Sequence, residues 1–341
     1  MYSFKNDYSE MAHPQVLDAL SAVGNRQFEG YGLDEYCAAA ASLLQKKLKA
    51  PNADIHFIPG GTHANLVVLS AALRPHEAVI ASKSGHISVH ETGAIEATGH
   101  KICVRDGCNG KLSVSDIESV LLEHGGDEHM VKPRLVYISL STECGTVYTK
   151  AELVAISHFC RDNSLLLYID GARLGVALNS RVCDFSYCDI AEFADAFFIG
   201  GTKNGALFGE AIVICSDELK RDFRFLLKQR GALLSKGAAI GVQFKALFTD
   251  GLYDELAGYS NSMAKRLADG IAGLGYEFLF PVQTNIIVPI FPVAVAHALR
   301  SSYAFYDWQS LDGDMVAVRL VTSWATPDAV VDGFVAALAG L

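Results

Sequence analysis

No stretch of this chain carries the roughly 18 consecutive apolar residues that a membrane-spanning helix needs. Its apolar runs are strand-length and interrupted. The opening residues, Met1-Tyr2-Ser3-Phe4-Lys5-Asn6-Asp7, lack the apolar core of a secretory leader. These two absences predict a cytoplasmic protein with no membrane partner. Basic residues are scarce: 28 Lys and Arg stand against 38 Asp and Glu, a formal net charge of −10. That balance argues against a nucleic-acid partner, which would want a basic face. No Cys-x-x-Cys pair occurs among the eight cysteines, several of which lie in apolar surroundings where cysteine acts as a small hydrophobe. They are expected to be reduced thiols, and no metal site is expected. Internal repeats and low-complexity tracts are missing. So is a Gly-x-Gly-x-x-Gly turn after the first strand, which a dinucleotide-dependent oxidoreductase would want; Gly60-Gly61 lacks that spacing.

What is present is enough apolar material for a large core, since half of the 341 residues are hydrophobic. The length suits one large domain and a smaller one. Helical and strand-like patterns alternate. Helices are predicted over 35–49, 62–73, 113–123 (with Ser113 as cap), 151–161, 220–227, 238–248, 254–274, 293–300 and 327–338. Strands are predicted over 55–58, 78–81, 101–104, 135–140, 208–215, 284–290 and 315–321, with two more ending at Asp170 and Ile199. Such alternation implies an α/β fold, a mostly parallel sheet with helices on both faces, followed by a small C-terminal α/β domain. The boundary is placed so that residues 1–252 form the large domain and 253–341 the small one. Ligands of such sheets sit beyond the carboxyl ends of the strands.

Two apolar runs deliver chemistry to that edge. Leu165-Leu166-Leu167-Tyr168-Ile169 ends in Asp170, and Ala196-Phe197-Phe198-Ile199 leads into Gly200-Gly201-Thr202-Lys203. An acid at one strand end and a lysine at the next match the needs of pyridoxal phosphate. The amine forms a Schiff base with its aldehyde, and the acid pairs with its ring nitrogen. Gly60-Gly61-Thr62 opens a helix whose free N–H groups suit a phosphate, although an ordinary tight turn and cap reads the same way. Thr202 could add a hydroxyl to that phosphate. His86, just beyond the 78–81 strand, could stack on a planar ring, with His90 and Glu91 about one turn further on. Arg173 lies three residues after Asp170, and Arg319 interrupts an apolar strand. Arginine forks grip a carboxylate through two parallel hydrogen bonds, so both are candidates for an amino-acid substrate.

The set resembles the L-threonine aldolase branch of the aspartate-aminotransferase-type (fold type I) pyridoxal-phosphate enzymes. The resemblance runs nearly end to end, through Asn6-Asp7, Gly30-Tyr31-Gly32, Gly60-Gly61-Thr62, His86 with Glu91, Asp170-Gly171-Ala172-Arg173, Thr202-Lys203 and Arg319. It implies Lys203 as the Schiff-base lysine, Asp170 at the pyridine nitrogen, His86 stacked on the ring, and Gly61 with Thr62 at the phosphate. Arg173 and Arg319 would bind the substrate carboxylate, assisted by Asn6 where the family commonly has serine. Tyr31 and Lys228 resemble positions that reach a neighbouring subunit's site, as in a homotetramer built from dimers with sites at the subunit interface. The implied reaction cleaves L-threonine or L-allo-threonine to glycine and acetaldehyde through an external aldimine and a glycine carbanion. Glu91, His86 or a water they position is the expected base. Another enzyme of this fold, such as a β-eliminating lyase or transaminase, is the alternative within this chemistry; a non-catalytic amino-acid-binding protein is the alternative outside it. Two departures stand out. Ser141-Thr142-Glu143-Cys144-Gly145 replaces a stretch that commonly carries histidine, and Leu233-Leu234-Ser235-Lys236-Gly237 lacks the usual arginine, leaving Lys228 or Lys236 as the subunit-crossing cation.

Overall fold

The computed structural model describes all 341 residues. A two-residue strand β1 (Tyr2–Ser3) precedes seven strands that form the main sheet: β2 (Asp54–Ile58), β3 (Glu77–Ser82), β4 (Ile102–Arg105), β5 (Lys132–Ser139), β6 (Leu166–Asp170), β7 (Ala196–Gly200) and β8 (Glu210–Ile214). Their spatial order is 2-8-7-6-5-3-4. The pairs from β7 through β6, β5 and β3 to β4 are parallel, and β8 runs antiparallel between β7 and β2.

Both faces of this sheet are covered, and the residue alternation shows how. Ala78, Ile80, Val136, Ile138, Leu167, Ile169, Phe197 and Ile199 point into one apolar cluster. Their neighbours Val79, Ala81, Leu135, Tyr137, Leu166, Tyr168, Ala196 and Phe198 point into a second cluster on the other face. Strands with two buried faces read as continuous apolar runs, the pattern expected of these segments. The helix Gly61–Ala72 lies on the second face, packing Ala64, Val67, Val68 and Leu69 into it.

Beyond the helix Leu252–Gly273 the chain adds β9 (Ile286–Ile287), β10 (Ile290–Pro292), β11 (Tyr303–Ala304), β12 (Tyr306–Leu311) and β13 (Met315–Val321). β13 is the antiparallel centre of a small sheet flanked by β9, β10 and β12. The helix itself bridges two cores, placing Leu252, Tyr253 and Leu256 in the large one and Met263, Leu267 and Ile271 in the small one. The start of the chain also joins the small core: β1 pairs in parallel with β11, and Phe4 is completely buried there.

Two expectations need correction. The strand predicted over 284–290 is broken into β9 and β10, with Val288 and Pro289 between them. Proline has no N–H for a ladder. The helix predicted over 220–227 is two short ones, Asp217–Lys220 and Phe223–Gln229, separated where Asp222 adopts φ 58°. β12 has no predicted counterpart, because its residues are mostly exposed and only Trp308 and Leu311 pack, partly buried, against the small sheet's core. No helix is long and apolar enough to cross a membrane.

Candidate active site

Asp170 is the last residue of β6, and Lys203 follows the end of β7 by three positions. Glycines let these two strand ends approach closely. A Cβ on Gly171 would overlap the Phe198 carbonyl, one on Gly200 would overlap the Ala172 carbonyl, and one on Gly201 would come within 2.6 Å of the Gly209 oxygen. The Gly200 N–H donates to the Gly171 carbonyl at 2.9 Å. The Asp-Gly and Gly-Gly pairs in the sequence are therefore packing requirements of one clamp.

Asp170 is buried and held by neutral donors. Its Oδ2 accepts from the Tyr137 hydroxyl at 2.6 Å and from Asn65 Nδ2 at 3.4 Å, and its Oδ1 accepts from the Ala172 N–H at 3.0 Å. Tyr137 stands one strand over on β5, and Asn65 comes from the helix Gly61–Ala72. Burial, and then the adjacent Asp170 charge, raise the Tyr137 hydroxyl well above the usual phenol range, so it remains a donor. Tyr168 orients Asn65 by donating to its Oδ1 at 3.0 Å.

Asn65 also donates to Glu91 Oε1 at 2.6 Å, and the same oxygen meets His86 Nδ1 at 2.8 Å. The Glu91 side chain has no exposure, whereas His86 keeps 29%. Glu91 thus stands behind the imidazole and His86 is the member that meets the cavity. Burial opposes a charge on His86, but the Glu91 hydrogen bond and the carboxylates of Asp170 and Glu143 together raise its pKa above the usual value.

A second cluster assembles from distant parts of the chain. Asp7, completely buried, accepts from Arg173 Nε at 2.7 Å and from one terminal nitrogen at 3.1 Å, and also from Asn285 at 3.0 Å. The remaining nitrogen of Arg173 faces Glu143 Oε1 at 3.7 Å, and Arg319 faces Glu143 Oε2 at 3.6 Å. Arg319 Nε is buried without a partner. Lys203 makes no hydrogen bond or ion pair through its amine; burial and then Arg173 lower its pKa, favouring the neutral nucleophile.

Lys203, His86, Arg173, Arg319 and Asn6 all border one cavity of ≈ 1090 Å³, which Tyr306 and Trp308 of β12 also line. Glu143 and His90 line it too. Gly61, Thr62 and Thr202 do not line it, but Asn65 ties the helix that begins with Gly61 and Thr62 to Asp170, one turn along from Gly61. Thr202 Oγ1 accepts from the Gly209 N–H at 3.0 Å. Tyr31 and Lys228 lie elsewhere, exposed, with the Lys228 amine 4.4 Å over the Tyr31 ring. Sequence reasoning missed Asn65, Tyr137, Tyr168 and the partnership of Asp7 with Arg173. For Asn65, Tyr137 and Tyr168 the only sequence signal is a polar group within an otherwise apolar helix or strand, and the Asp7–Arg173 pairing has none.

Residues 17–292 match the beta-eliminating lyase family. The low specificity L-threonine aldolase of Pseudomonas sp. (strain NCIMB 10558) is 33% identical over 96% of this chain and 94% of its own length. The solved structure of Leishmania major threonine aldolase superposes with a TM-score of 0.97 at 48% identity, covering 99% of this chain and 98% of that one. Thermus thermophilus aspartate aminotransferase, at 14% identity, shares the fold with a TM-score of 0.74 over 100% of this chain and 91% of its own.

Proposed function

This chain belongs to the low-specificity L-threonine aldolases of the beta-eliminating lyase family, and we propose that it cleaves L-threonine or L-allo-threonine to glycine and acetaldehyde using pyridoxal phosphate. The observation that carries this reading is the convergence of Lys203, His86, Arg173 and Arg319 on one cavity, with the Asp170 carboxylate buried behind it.

Three features fit the cofactor. Asp170 is a buried carboxylate with neutral donors and no cationic partner, which a protonated pyridine nitrogen would supply. The helix Gly61–Ala72 begins at Gly60 without a side-chain cap, so its first N–H groups are available to a phosphate. The Lys203 amine is unpartnered and shifted towards its neutral form. Lys203 would tether the aldehyde, Asp170 would hold the ring nitrogen, His86 would stack on the ring, and Gly61, Thr62 and Thr202 would hold the phosphate. When bound, the cofactor supplies an electron sink for the bond broken at the substrate's alpha carbon.

The protein's part is orientation and proton handling. Arg319 and the free nitrogen of Arg173 bind the substrate carboxylate, with Asn6 beside them, and so set which bond at the alpha carbon stands perpendicular to the ring. Asp7 keeps Arg173 from turning, because two of its three nitrogens are already engaged. His86, backed by Glu91, is the base for the β-hydroxyl proton, since it alone of the pair reaches the cavity. The exposed Tyr31–Lys228 pair supports a role at a neighbouring subunit's site in a homotetramer, and eight free cysteines suit a reducing, cytoplasmic setting.

Lys203→Ala tests the assignment. It should abolish both the visible absorbance of the bound cofactor and acetaldehyde release from either threonine diastereomer. Full turnover in that variant, or release of ammonia and a keto acid in place of acetaldehyde by the parent enzyme, would overturn it.

A further inference from the structure

Glu143 occupies an unusual position. Its two carboxylate oxygens are divided between the arginines, Oε1 towards Arg173 at 3.7 Å and Oε2 towards Arg319 at 3.6 Å. Neither distance is a hydrogen bond, and the carboxylate lines the cavity. Arg173 already has its own counter-ion, because Asp7 takes its fork. The cluster is therefore balanced before any substrate arrives: two guanidinium groups against the carboxylates of Asp7 and Glu143.

A substrate carboxylate held by Arg319 and Arg173 would bring a third anion into this enclosure, beside Glu143. Glu143 has little freedom to retreat. Every residue from Ser141 to Tyr148 is buried. The loop is fastened by the Thr142 N–H to the Thr146 carbonyl at 3.0 Å, by Thr146 Oγ1 to the Asn109 carbonyl at 2.7 Å, and by Thr284 Oγ1 to the Gly145 carbonyl at 2.8 Å. Gly145 is further pinned, since a Cβ there would overlap the Ile286 carbonyl. The charged and titratable groups facing Glu143 are Arg173, Lys203, Arg319, His86, His90 and Cys144. When two carboxylates must share one small site, one of them takes a proton.

We propose that Glu143 is an internal counter-ion of the Arg173–Arg319 pair, that the substrate's carboxylate replaces it there, and that Glu143 takes one proton from solvent as it does so. The inference rests on the reading of these arginines as the substrate-carboxylate site. In the free protein burial opposes the Glu143 charge, but Arg173, Lys203 and Arg319 hold its carboxyl below the usual range. Removing those contacts to a ligand reverses that balance, so carboxylate binding weakens as pH rises. Glu143 also becomes a neutral acid beside His86 only once substrate is bound.

The test uses the cofactor-loaded enzyme and 3-hydroxybutyrate, which is threonine without its amine and so binds through carboxylate and hydroxyl alone. Titration calorimetry near pH 7 in two buffers of different ionisation enthalpy reads the protons taken up on binding. The wild type should take up about one proton and Glu143→Gln about none, while Glu143→Gln binds the probe at least about fivefold more tightly. Uptake of no proton by the wild type overturns the inference even if the variant fails to fold. So does a Glu143→Gln protein that binds no better than the parent. Arg319→Met separates the two levels: if it leaves 3-hydroxybutyrate affinity unchanged, the arginine site itself is wrong, and the inference falls with it. Affinity lost in Arg319→Met without proton uptake in the wild type sinks the role of Glu143 alone.

Discussion

Asp7 and Arg173, 166 residues apart in the chain, form a two-point ion pair from which solvent is almost completely excluded. The pair joins the start of the chain to the loop after β6. Removing one member leaves the other buried without its hydrogen-bonded partner, at a cost of about 3–5 kcal/mol. Asp7→Asn should therefore lower the unfolding free energy by about that amount in a denaturant titration. A change below about 1 kcal/mol would show that the pair contributes little net stability.

The same pair makes an acid-side prediction. Burial would raise the Asp7 pKa, but Arg173 and Lys203 pull it down from 3.8 to about 2. A carboxyl lowered by folding contributes stability that is present above its unfolded value and is lost as pH falls through its folded value. Its contribution should fade between pH 3.8 and about 2. Over that window the Asp7→Asn protein should lose stability less steeply than the parent, as measured by thermal melts across pH.

Tyr137→Phe removes the 2.6 Å hydrogen bond to Asp170 and leaves the fold's apolar contacts intact. Hydrogen bonds to charged groups are worth roughly 1.5–3 kcal/mol. Part of that acts on the anion proposed to face the cofactor's ring nitrogen. The expected result is a fall in kcat of about tenfold with a shift in the cofactor absorbance band. An unchanged spectrum would mean that Tyr137 serves only packing.

Glu91→Gln separates the two members of the His86–Glu91 pair. The Glu91 hydrogen bond favours protonated His86, and burial opposes it. If neutral His86 is the base, activity falls on the acid side as His86 protonates. Weakening its acceptor should then move that limb to lower pH by about one unit. Disappearance of the limb in kcat/KM profiles would instead make Glu91 the base.

Gly171→Ala places a methyl group on the Phe198 carbonyl, which is backbone and cannot swing aside. The strand ends carrying Asp170 and Lys203 must then separate. A loss of roughly 2–4 kcal/mol and a drop in cofactor affinity are expected, read from melting and from the absorbance of the bound cofactor.

The strands β3, β5, β6 and β7 were legible because they are covered on both faces, which demands near-continuous apolar runs. Asp170 and Lys203 stand out for a related reason, since polar residues at the ends of such runs must lie at the sheet's edge. The edge strand β12 was not legible, because its exposed face imposes no apolar pattern. Nor could the chain alone pair Asp7 with Arg173, Asn65 with Asp170 across 105 residues, or place Glu143 between two arginines. The local sequence determines which side chains reach the end of a strand. Which charges then meet depends on how the N-terminal segment, the Gly61–Ala72 helix and β13 pack around that end, and packing is decided by the burial of whole faces rather than by any residue's neighbours in sequence.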